Sequence, residues 1–258
     1  MVFLPLVVAG LVPCLLGLFV LVYVARGFGD AAVVVRTRRV SVLSLAEGID
    51  GAVALSGRAR PTETDGTLRA PITGDEALVV EHEVEERRSD GDGGRSWHRV
   101  DRGRAAVSFV LDDGSAGIRV DPARATLSLA ADDAVHVDAD EAVPDSLRAL
   151  ATDSGVDVDP RLLDLGPLDV AVGNARRFTE RCLHPGDDVT VVGLPTRDRG
   201  EVGTVNAAVS SGDPFVVADA GPRTVAGRLA VEWSLHLVVA LLLLGVGGAV
   251  VYGGLVVG

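Results

Sequence analysis

The chain has 258 residues and a formal net charge of −12. Its 24 basic residues are all arginine, and no basic stripe of the kind that binds phosphate backbones is visible, so we expect no nucleic-acid partner. Two cysteines and five histidines, scattered without paired spacing, cannot supply the zinc ligands of a cross-braced RING finger within these residues.

Two apolar segments lie near the ends of the chain. Residues 2–25 carry no charge, and residues 235–258 carry only His236 as a polar interruption near their start. A helix rises 1.5 Å per residue, so either segment is long enough to cross a hydrocarbon core of about 30 Å. We expect two transmembrane helices in a multi-pass protein of the cell membrane. A cleaved signal peptide is the weaker interpretation of residues 2–25, because a basic n-region is missing.

The arginines nearest the spans predict the orientation. Neither tail carries a basic side chain, so the positive-inside rule predicts a cytoplasmic domain and two outward-facing termini. The arginines that flank the spans on the domain side are Arg26, Arg36, Arg38, Arg39, Arg223 and Arg228.

Residues 26–50 form a juxtamembrane connector, whose Ser/Leu stretch before Gly48 reads as helix or strand. Short β-rich runs separated by Gly, Pro and Asp then predict a β domain over residues 51–193. The alternation in "ALVVEHEVEE" buries one strand face, and the turn "SDGDGG" predicts a hairpin with the strand that follows. The predicted buried face contains Leu78, Val80, His82 and Val84.

The second half of the domain is more acidic. Residues 131–170 hold eleven acidic and two basic residues, which predicts a solvated insertion with one short helix, "DSLRALAT". A small β extension over residues 194–222 and a juxtamembrane helix over residues 223–234 lead to the second span. The predicted fold class is a mostly β (α+β) soluble domain, sandwich- or barrel-like, inserted between two transmembrane α-helices.

The type of charge points to the environment of the protein. Aspartate outnumbers glutamate 25 to 11, and lysine and glutamine are absent. This composition is similar to that of proteins from halophilic archaea, whose carboxylate-rich surfaces stay hydrated in molar salt. We therefore expect salt adaptation rather than a surface for basic partners.

Tests for chemistry predict neither a catalytic residue nor a cofactor. No metal ligands are expected, because His82 and His98 on one predicted hairpin are more typical of packed or hydrogen-bonded side chains. Cys182 and His184 would share a face of an extended strand, and packing beside a turn is the favoured interpretation over a hydrolase nucleophile. The abundant aspartate pairs are expected to be solvated surface.

Small residues recur in the second span. Gly245, Ala249 and Gly253 are spaced every four residues, which places them on one helix face. We expect this face to pack either against the first span, which offers Gly10, Cys14 and Gly17, or against a second copy in a homo-oligomer.

Several segments in order resemble a known family. They are "LRAPITG", Trp97 within "SWHRV", "FVLDDGSAG" and "ERCLHPGD", between about Val53 and Gly193. They look like the GIDE domain, also called the beside-a-membrane (BAM) domain, of the mitochondrial ubiquitin ligase activator family. The resemblance implies a domain held between two membrane spans, and E3 ubiquitin ligase activity in members with a carboxyl-terminal RING. Because this sequence ends with the second span, we expect a member without the ligase module.

The stretch "RFTERCLHPGDD" is predicted to be strand and turn, with Pro185 and Gly186 reversing the chain before "VTVVG". We expect Arg177, Glu180 and Arg181 to form a cross-strand charge network. The chain is therefore interpreted as a membrane-anchored, non-catalytic interaction or scaffold protein with unidentified membrane or cytoplasmic protein partners. The alternatives are a component of an E3 ubiquitin-like transferase system, a hydrolase using Cys182, and an adaptor similar to NfeD proteins, which accompany membrane proteases or stomatins.

Overall fold

The computed structural model describes residues 4–48, 51–89, 91, 94–160, 162–164, 169–171, 173–198, 204–220 and 222–256. The chain divides into two compact units, one made of Met1–Arg39 with Ala220–Gly258 and the other of Val40–Asp219. Strands dominate the second unit, and long apolar helices form the first. The predicted fold class is confirmed.

The described residues form three α-helices: α1 (Leu4–Arg36), α2 (Arg148–Asp153) and α3 (Pro222–Val256). The stretches Val7–Ala25 and Ser234–Val256 are long and apolar enough to cross a membrane. The predicted juxtamembrane helix over residues 223–234 belongs to the same continuous helix as the second of these stretches.

The helices α1 and α3 contact each other through residues that recur every seven positions on each helix. Two sets of small or β-branched residues are buried along the contact between the helices. A Cβ added at Gly10 would lie 2.8 Å from the backbone oxygen of Gly247, so the backbones approach closely, as small residues permit in membrane helices. The buried residues are Gly10, Gly17 and Val24 on α1 and Ala240, Gly247 and Gly254 on α3.

The predicted stripe of Gly245, Ala249 and Gly253 is not the face that meets α1. Gly245 and Ala249 are exposed, and a Cβ added at Gly245 meets nothing within 4 Å. The four-residue spacing missed the contact because the two antiparallel helices meet at positions seven residues apart. On α1, the expected Gly10 and Gly17 are at the contact. Pairing of the stripe with a second copy stays a prediction.

The second unit is built from fourteen strands among the described residues. They are β1 (Val53–Pro61), β2 (Leu68–Arg69), β3 (Glu76–Ala77), β4 (Val79–Ser89), β5 (Arg95–Ala106), β6 (Phe109–Asp112), β7 (Gly117–Val120), β8 (Thr126–Ser128), β9 (Asp133–Val137), β10 (Leu162–Asp164), β11 (Asp169–Ala171), β12 (Arg176–Leu183), β13 (Asp188–Arg197) and β14 (Thr204–Ala218).

Five of these strands close into a barrel. The order is β13-β1-β6-β7-β14, and pairing of β13 with β14 closes the ring, while β8 adds to β14 in parallel. Inward-facing apolar residues such as Phe109, Ile118 and Val217 fill the interior. The segment over residues 194–222, expected as a separate extension, supplies the end of β13 and all of β14 and so completes this barrel.

A second sheet has the order β5-β4-β12-β9. Its inner face buries Val84 opposite Phe178, and Val137 joins them in an apolar cluster. The same cluster includes buried residues of the acidic segment over residues 131–170, among them Leu147 beside α2 and Val156. That segment is therefore not a solvated insertion, because its sparse apolar residues cover the sheet and β9 extends it. Residues 161 and 165–168 of the segment lie outside the described part.

The stretch from Arg176 to Arg197 is a corner between the two sheets. β12 lies in the four-stranded sheet and β13 lies in the barrel, so the strand–turn–strand prediction is confirmed, but the two strands belong to different sheets. The Pro185–Gly186 turn between them needs φ of +95° at Gly186, a conformation that glycine adopts without strain. The N–H of Gly186 donates to the carbonyl of Ala59 in β1, at 2.7 Å, which fixes the corner to the barrel.

The connector predicted over residues 26–50 begins later, because α1 continues to Arg36. Its Ser/Leu stretch, for which helix and strand were both open, forms a 3-10 helix over Leu43–Glu47, which ends at Gly48 with φ of +84°. The two predicted turns are in place. The turn "DDGSAG" joins antiparallel β6 and β7, and "SDGDGG" joins antiparallel β4 and β5. Residues 90, 92 and 93 of the latter turn lie outside the described part.

Candidate functional site

The outer face of the four-stranded sheet carries a lattice of ion pairs. Alternation along β4 sends Glu81, Glu83 and Glu85 to the face opposite the apolar cluster, where arginines from β5 and β12 meet them. We call this surface the charged sheet face. Its residues are Glu81, Glu83, Glu85, Trp97, Arg99, Arg102, His136, Arg177 and Arg181.

The pairs on the charged sheet face are layered. The Arg99 side chain is 57% exposed and its partner Glu83 is 15% exposed, and Arg102 is 56% exposed over Glu81 at 10%. Arg181 Nη1 also lies 3.7 Å from Glu83 Oε2. The carboxylates therefore lie below and the guanidinium groups project into solvent. A chain of net charge −12 thus presents a locally cationic outer layer here.

Trp97 contacts two polar side chains on this face. The guanidinium carbon of Arg177 lies 4.7 Å from the centre of the Trp97 ring, a cation–π contact. The Arg177 Nε donates to Glu85 Oε2 at 2.6 Å, which orients the guanidinium group. The His136 ring also meets Trp97 edge-on, with ring centres 6.0 Å apart. Trp97 is half-buried, and its ring contacts both Arg177 and His136.

The expected network of Arg177, Glu180 and Arg181 exists only in part. Arg177 and Arg181 bond to Glu85 and Glu83 of β4, whereas Glu180 points to the opposite face of β12. Glu180 is completely buried. The prediction grouped neighbours in sequence, but successive side chains of a strand alternate between its two faces.

Buried Glu180 instead holds a loop. Its Oε1 accepts a hydrogen bond from the N–H of Ile72 at 3.0 Å, and its Oε2 accepts from the N–H and the hydroxyl of Thr73 at 3.1 and 2.9 Å. Three donors satisfy the buried carboxylate, as a charge in the interior requires. The role of Glu180 is structural, and it connects β12 to the loop between β2 and β3.

A second polar cluster lies at the corner after β12. Asp132, Cys182 and His184 place one potential ligand atom each within 4.8 Å of one another. The N–H of Cys182 donates to Asp132 Oδ2, and the N–H of His184 donates to Asp187 Oδ2 at 2.8 Å. Nδ1 of His184 lies 3.4 Å from the same Asp187 oxygen. The expected proximity of Cys182 and His184 is confirmed, and Asp132 was missed because it is fifty residues away in sequence.

The environment of Cys182 opposes a nucleophilic role. Burial first, and then the charges of Glu180 and Asp132, together raise the pKa of the thiol to about 12. Burial also raises the pKa of Asp132, against the hydrogen bond from the Cys182 N–H, and the charges of Asp219 and Asp187 add to the rise. A thiol kept protonated at neutral pH is a poor nucleophile, so this geometry does not support the hydrolase alternative.

His82 and His98 lie apart on the hairpin. His82 is opposite Gly103 and His98 is opposite Glu86, so they are four residues apart along the ladder, about 13 Å at the strand rise. His82 Nε2 lies 3.7 Å from Asp101, and the His98 Nε2 bonds Ser96 Oγ at 2.9 Å. His82 is mostly covered and packs against Gly103, and His98 is exposed and hydrogen-bonded.

Comparison with known families decides the relationship of the chain. The model of the GIDE family, described as "E3 Ubiquitin ligase", matches residues 79–253, which is more than half of the 258 residues. The chain belongs to the GIDE family. The match begins later than the resemblance at Val53 suggested and extends past Gly193 into α3. No curated protein and no solved structure gives a significant match.

The segments that resemble the GIDE domain are joined in the structure. Glu180 of "ERCLHPGD" binds Ile72 and Thr73 of "LRAPITG". In "FVLDDGSAG", Asp113 accepts hydrogen bonds from the N–H of Ser115 at 2.9 Å and from the N–H of Val42 at 2.7 Å. These contacts show that the two motifs serve as structural ties between loops. Trp97 differs, because its ring belongs to the charged sheet face.

Proposed function

We propose that this GIDE protein is a membrane-anchored, non-catalytic interaction protein, and that its charged sheet face binds an acidic segment of a partner protein. The observation that carries the proposal is the Trp97 ring, which contacts Arg177 and His136 within an outer layer of guanidinium groups. Tryptophan and arginine are the residue types that contribute most to protein interfaces.

The charge layering supports an acidic partner. Arg99 and Arg102 project furthest into solvent, so the first charges that a partner meets are positive. The carboxylates beneath keep each guanidinium fixed in place, which lowers the ordering cost of binding. A nucleic acid fits less well, because these carboxylates also cancel most of the long-range field of the face.

The membrane part of the proposal rests on the two apolar helices and on the arginines that follow or precede them. Both helices have the length and apolar composition of membrane spans. The distribution of arginine in the sequence favours a cytoplasmic position for the β domain. In this arrangement, the charged sheet face recruits a cytoplasmic protein, or the cytoplasmic part of a membrane protein, to the bilayer.

The test is affinity purification of the tagged full chain from its own cells after cross-linking, with Arg99→Glu and Arg102→Glu as variants. We expect each variant to recover the same partner at least about tenfold less well, the loss typical of an interface hot spot. Arg58→Glu is the matched control, because Arg58 is also an exposed arginine near a carboxylate, Asp188, but lies on the barrel. Equal recovery by all three variants contradicts the proposal.

The description of the GIDE family supports a second candidate function, a component of an E3 ubiquitin-like transferase system. This candidate predicts that the purified chain moves an activated modifier to a target when charged conjugating enzyme is added. Conjugating enzymes as the cross-linked partner, together with transfer, favour this candidate. Membrane proteases or stomatin-like proteins as the partner favour the adaptor function.

A further inference from the structure

The corner between β12 and β13 gathers the donor types that bind zinc. We propose that Asp132, Cys182 and His184 form a binding site for one zinc-type divalent cation. Their potential ligand atoms, one sulfur, one nitrogen and one oxygen, lie within 4.8 Å of one another. Among the described residues, these are the three potential metal-binding side chains whose ligand atoms lie this close together.

The donor set fits a zinc site with three protein ligands. Zinc binds thiolate at about 2.3 Å and imidazole or carboxylate at about 2.0–2.2 Å, which puts tetrahedral ligand atoms roughly 3.5 Å apart. The present separations, which reach at most 4.8 Å, need to shorten by up to about 1.3 Å, through movement of the exposed Asp132 and half-buried His184 side chains. Three protein ligands leave a fourth position for water or a substrate.

The backbone already positions two of the three ligands. The N–H of Asp132 donates to the carbonyl of Glu180 at 3.0 Å, and the N–H of Cys182 donates back to Asp132 Oδ2. These two bonds continue the β9–β12 ladder by one step and hold the Asp132 side chain beside the thiol. The carboxylate has a second oxygen, Oδ1, so the backbone bond does not exhaust its capacity as a ligand.

His184 lies against a carboxylate, that of Asp187, as metal-binding histidines usually do. Its Nδ1 lies 3.4 Å from Asp187 Oδ2, and the same oxygen accepts the His184 N–H. A carboxylate on one ring nitrogen fixes the ring and raises the basicity of the other nitrogen. The Pro185–Gly186 turn carries His184 and Asp187 on its two sides, so the pair belongs to the corner itself.

The local charge favours a cation. Asp132 lies near enough to Asp187 and Asp219 to feel both charges, and the N–H of Ala130 fixes Asp219 at 2.7 Å. Asp132 is exposed and His184 is half-buried, so an ion reaches the buried sulfur from their side. Binding deprotonates the Cys182 thiol, the sulfur forms the metal bond, and the proton leaves to solvent.

The test uses Co²⁺ as a spectroscopic probe of the full chain, washed with chelator and kept in detergent at high salt. We expect one Co²⁺ per chain, with a thiolate-to-cobalt charge-transfer band in the near ultraviolet and the visible bands of a tetrahedral ion. Zn²⁺ should displace Co²⁺ and remove both signals. Cys182→Ser should abolish the charge-transfer band, and Asp187→Asn should keep it while weakening affinity about 10–100-fold.

Two control variants test whether the band belongs to this site. Cys14→Ser removes the other thiol, in α1, and His98→Gln removes a histidine of the β5 strand. Both should leave the band and the affinity unchanged. Asp132→Asn changes an exposed ligand and keeps the thiol. It should weaken Co²⁺ binding while circular dichroism shows that the chain is still folded.

The proposal is overturned if the folded wild-type chain shows no charge-transfer band, or if the band survives Cys182→Ser. Binding of several Co²⁺ ions without the band also overturns it, because that result describes surface carboxylates. None of these outcomes affects the proposed binding of a partner protein, since the site and the charged sheet face use different residues.

Discussion

The carboxylate of Glu180 accepts two hydrogen bonds from Thr73, one from its N–H and one from its hydroxyl, although the two residues are 107 positions apart in sequence. We expect Glu180→Gln to lower the free energy of unfolding by about 2–3 kcal/mol, because a neutral amide accepts less strongly and brings an unpaired donor into a buried site. Denaturant unfolding of the full chain in detergent measures the change.

Glu83→Gln is the control for Glu180, because it lies on the exposed side of the same sheet. Its ion pairs join a partly covered carboxylate to guanidinium groups that reach solvent, so the cost should be smaller, about 1 kcal/mol. Equal effects of the two substitutions would contradict a special structural role for Glu180.

The Asp113 carboxylate connects the segment at Val42 to the β6–β7 turn through hydrogen bonds that acid weakens. Burial opposes ionisation of Asp113, but hydrogen bonds from Ser115, Val42 and Ala116 outweigh it and lower its pKa below the ordinary 3.8. The stability from this shift is present above pH 3.8 and disappears as the pH falls through the lower pKa of the folded state. We expect Asp113→Asn to cost about 1 kcal/mol at neutral pH and to reduce the loss of stability below pH 3.8.

Thermal unfolding at pH values on both sides of this window tests the role of Asp113. Asp140→Asn changes an exposed carboxylate and is the matched control. An unchanged acid profile for Asp113→Asn would rule out the proposed tie between the connector and the β6–β7 turn.

The contact between α1 and α3 distinguishes two neighbouring glycines. A side chain at Gly247 meets the backbone of Cys14 and Gly10 at 2.8 Å, whereas one at Gly245 meets nothing within 4 Å. Gly247→Leu should therefore separate the helices and lower the yield of folded protein in membranes. Gly245→Leu should not disturb the folding of a single chain.

Cross-linking between one cysteine in α1 and one cysteine in α3 measures the helix contact. Light scattering in detergent measures the oligomeric state. If Gly245→Leu lowers the oligomeric state while the helix contact stays intact, the stripe of Gly245, Ala249 and Gly253 joins two copies. If it breaks the contact between α1 and α3, the arrangement of these helices is wrong.

The orientation predicted from the arginines is tested by reporters fused after Gly258. A reporter that is active only outside the cell should be active, because the positive-inside rule puts both termini outside. A reporter active only in the cytoplasm, fused at the same position, should be inactive. The opposite pattern would show that the β domain, with its charged sheet face, lies outside the cytoplasm.

Salt adaptation, expected from the excess of aspartate, predicts a rise in stability with KCl. Raising the salt from roughly 0.1 M to 1 M shortens the screening length from about 10 Å to 3 Å and weakens the repulsion among the acidic side chains. Thermal unfolding in this series should show a rising midpoint. A midpoint independent of KCl would contradict the expectation.

The local elements could be predicted because short-range patterns determine them. Alternation in β4, the glycines of the turns and the uncharged run of residues 2–25 act within a few positions, so the strands, turns and apolar helices follow from sequence. The excess of acidic residues in the segment over residues 131–170 was misleading. Leu147 and Val156 are few among many carboxylates, yet they are the residues that reach the interior.

By itself, the sequence determined the strand-rich domain between two apolar helices, the turn at Pro185–Gly186 and the family motifs. The tertiary structure decided that β12 and β13 enter different sheets and that β14 closes the barrel. It also sent Glu180 inward and Arg177 outward, and it brought Asp132 to Cys182. The strand order, the barrel closure and the contact between Asp132 and Cys182 depend on pairing between strands far apart in sequence, which local residue patterns do not encode. Alternation alone puts Arg177 and Glu180 on opposite faces of β12, and tertiary packing decides which of the two faces is buried.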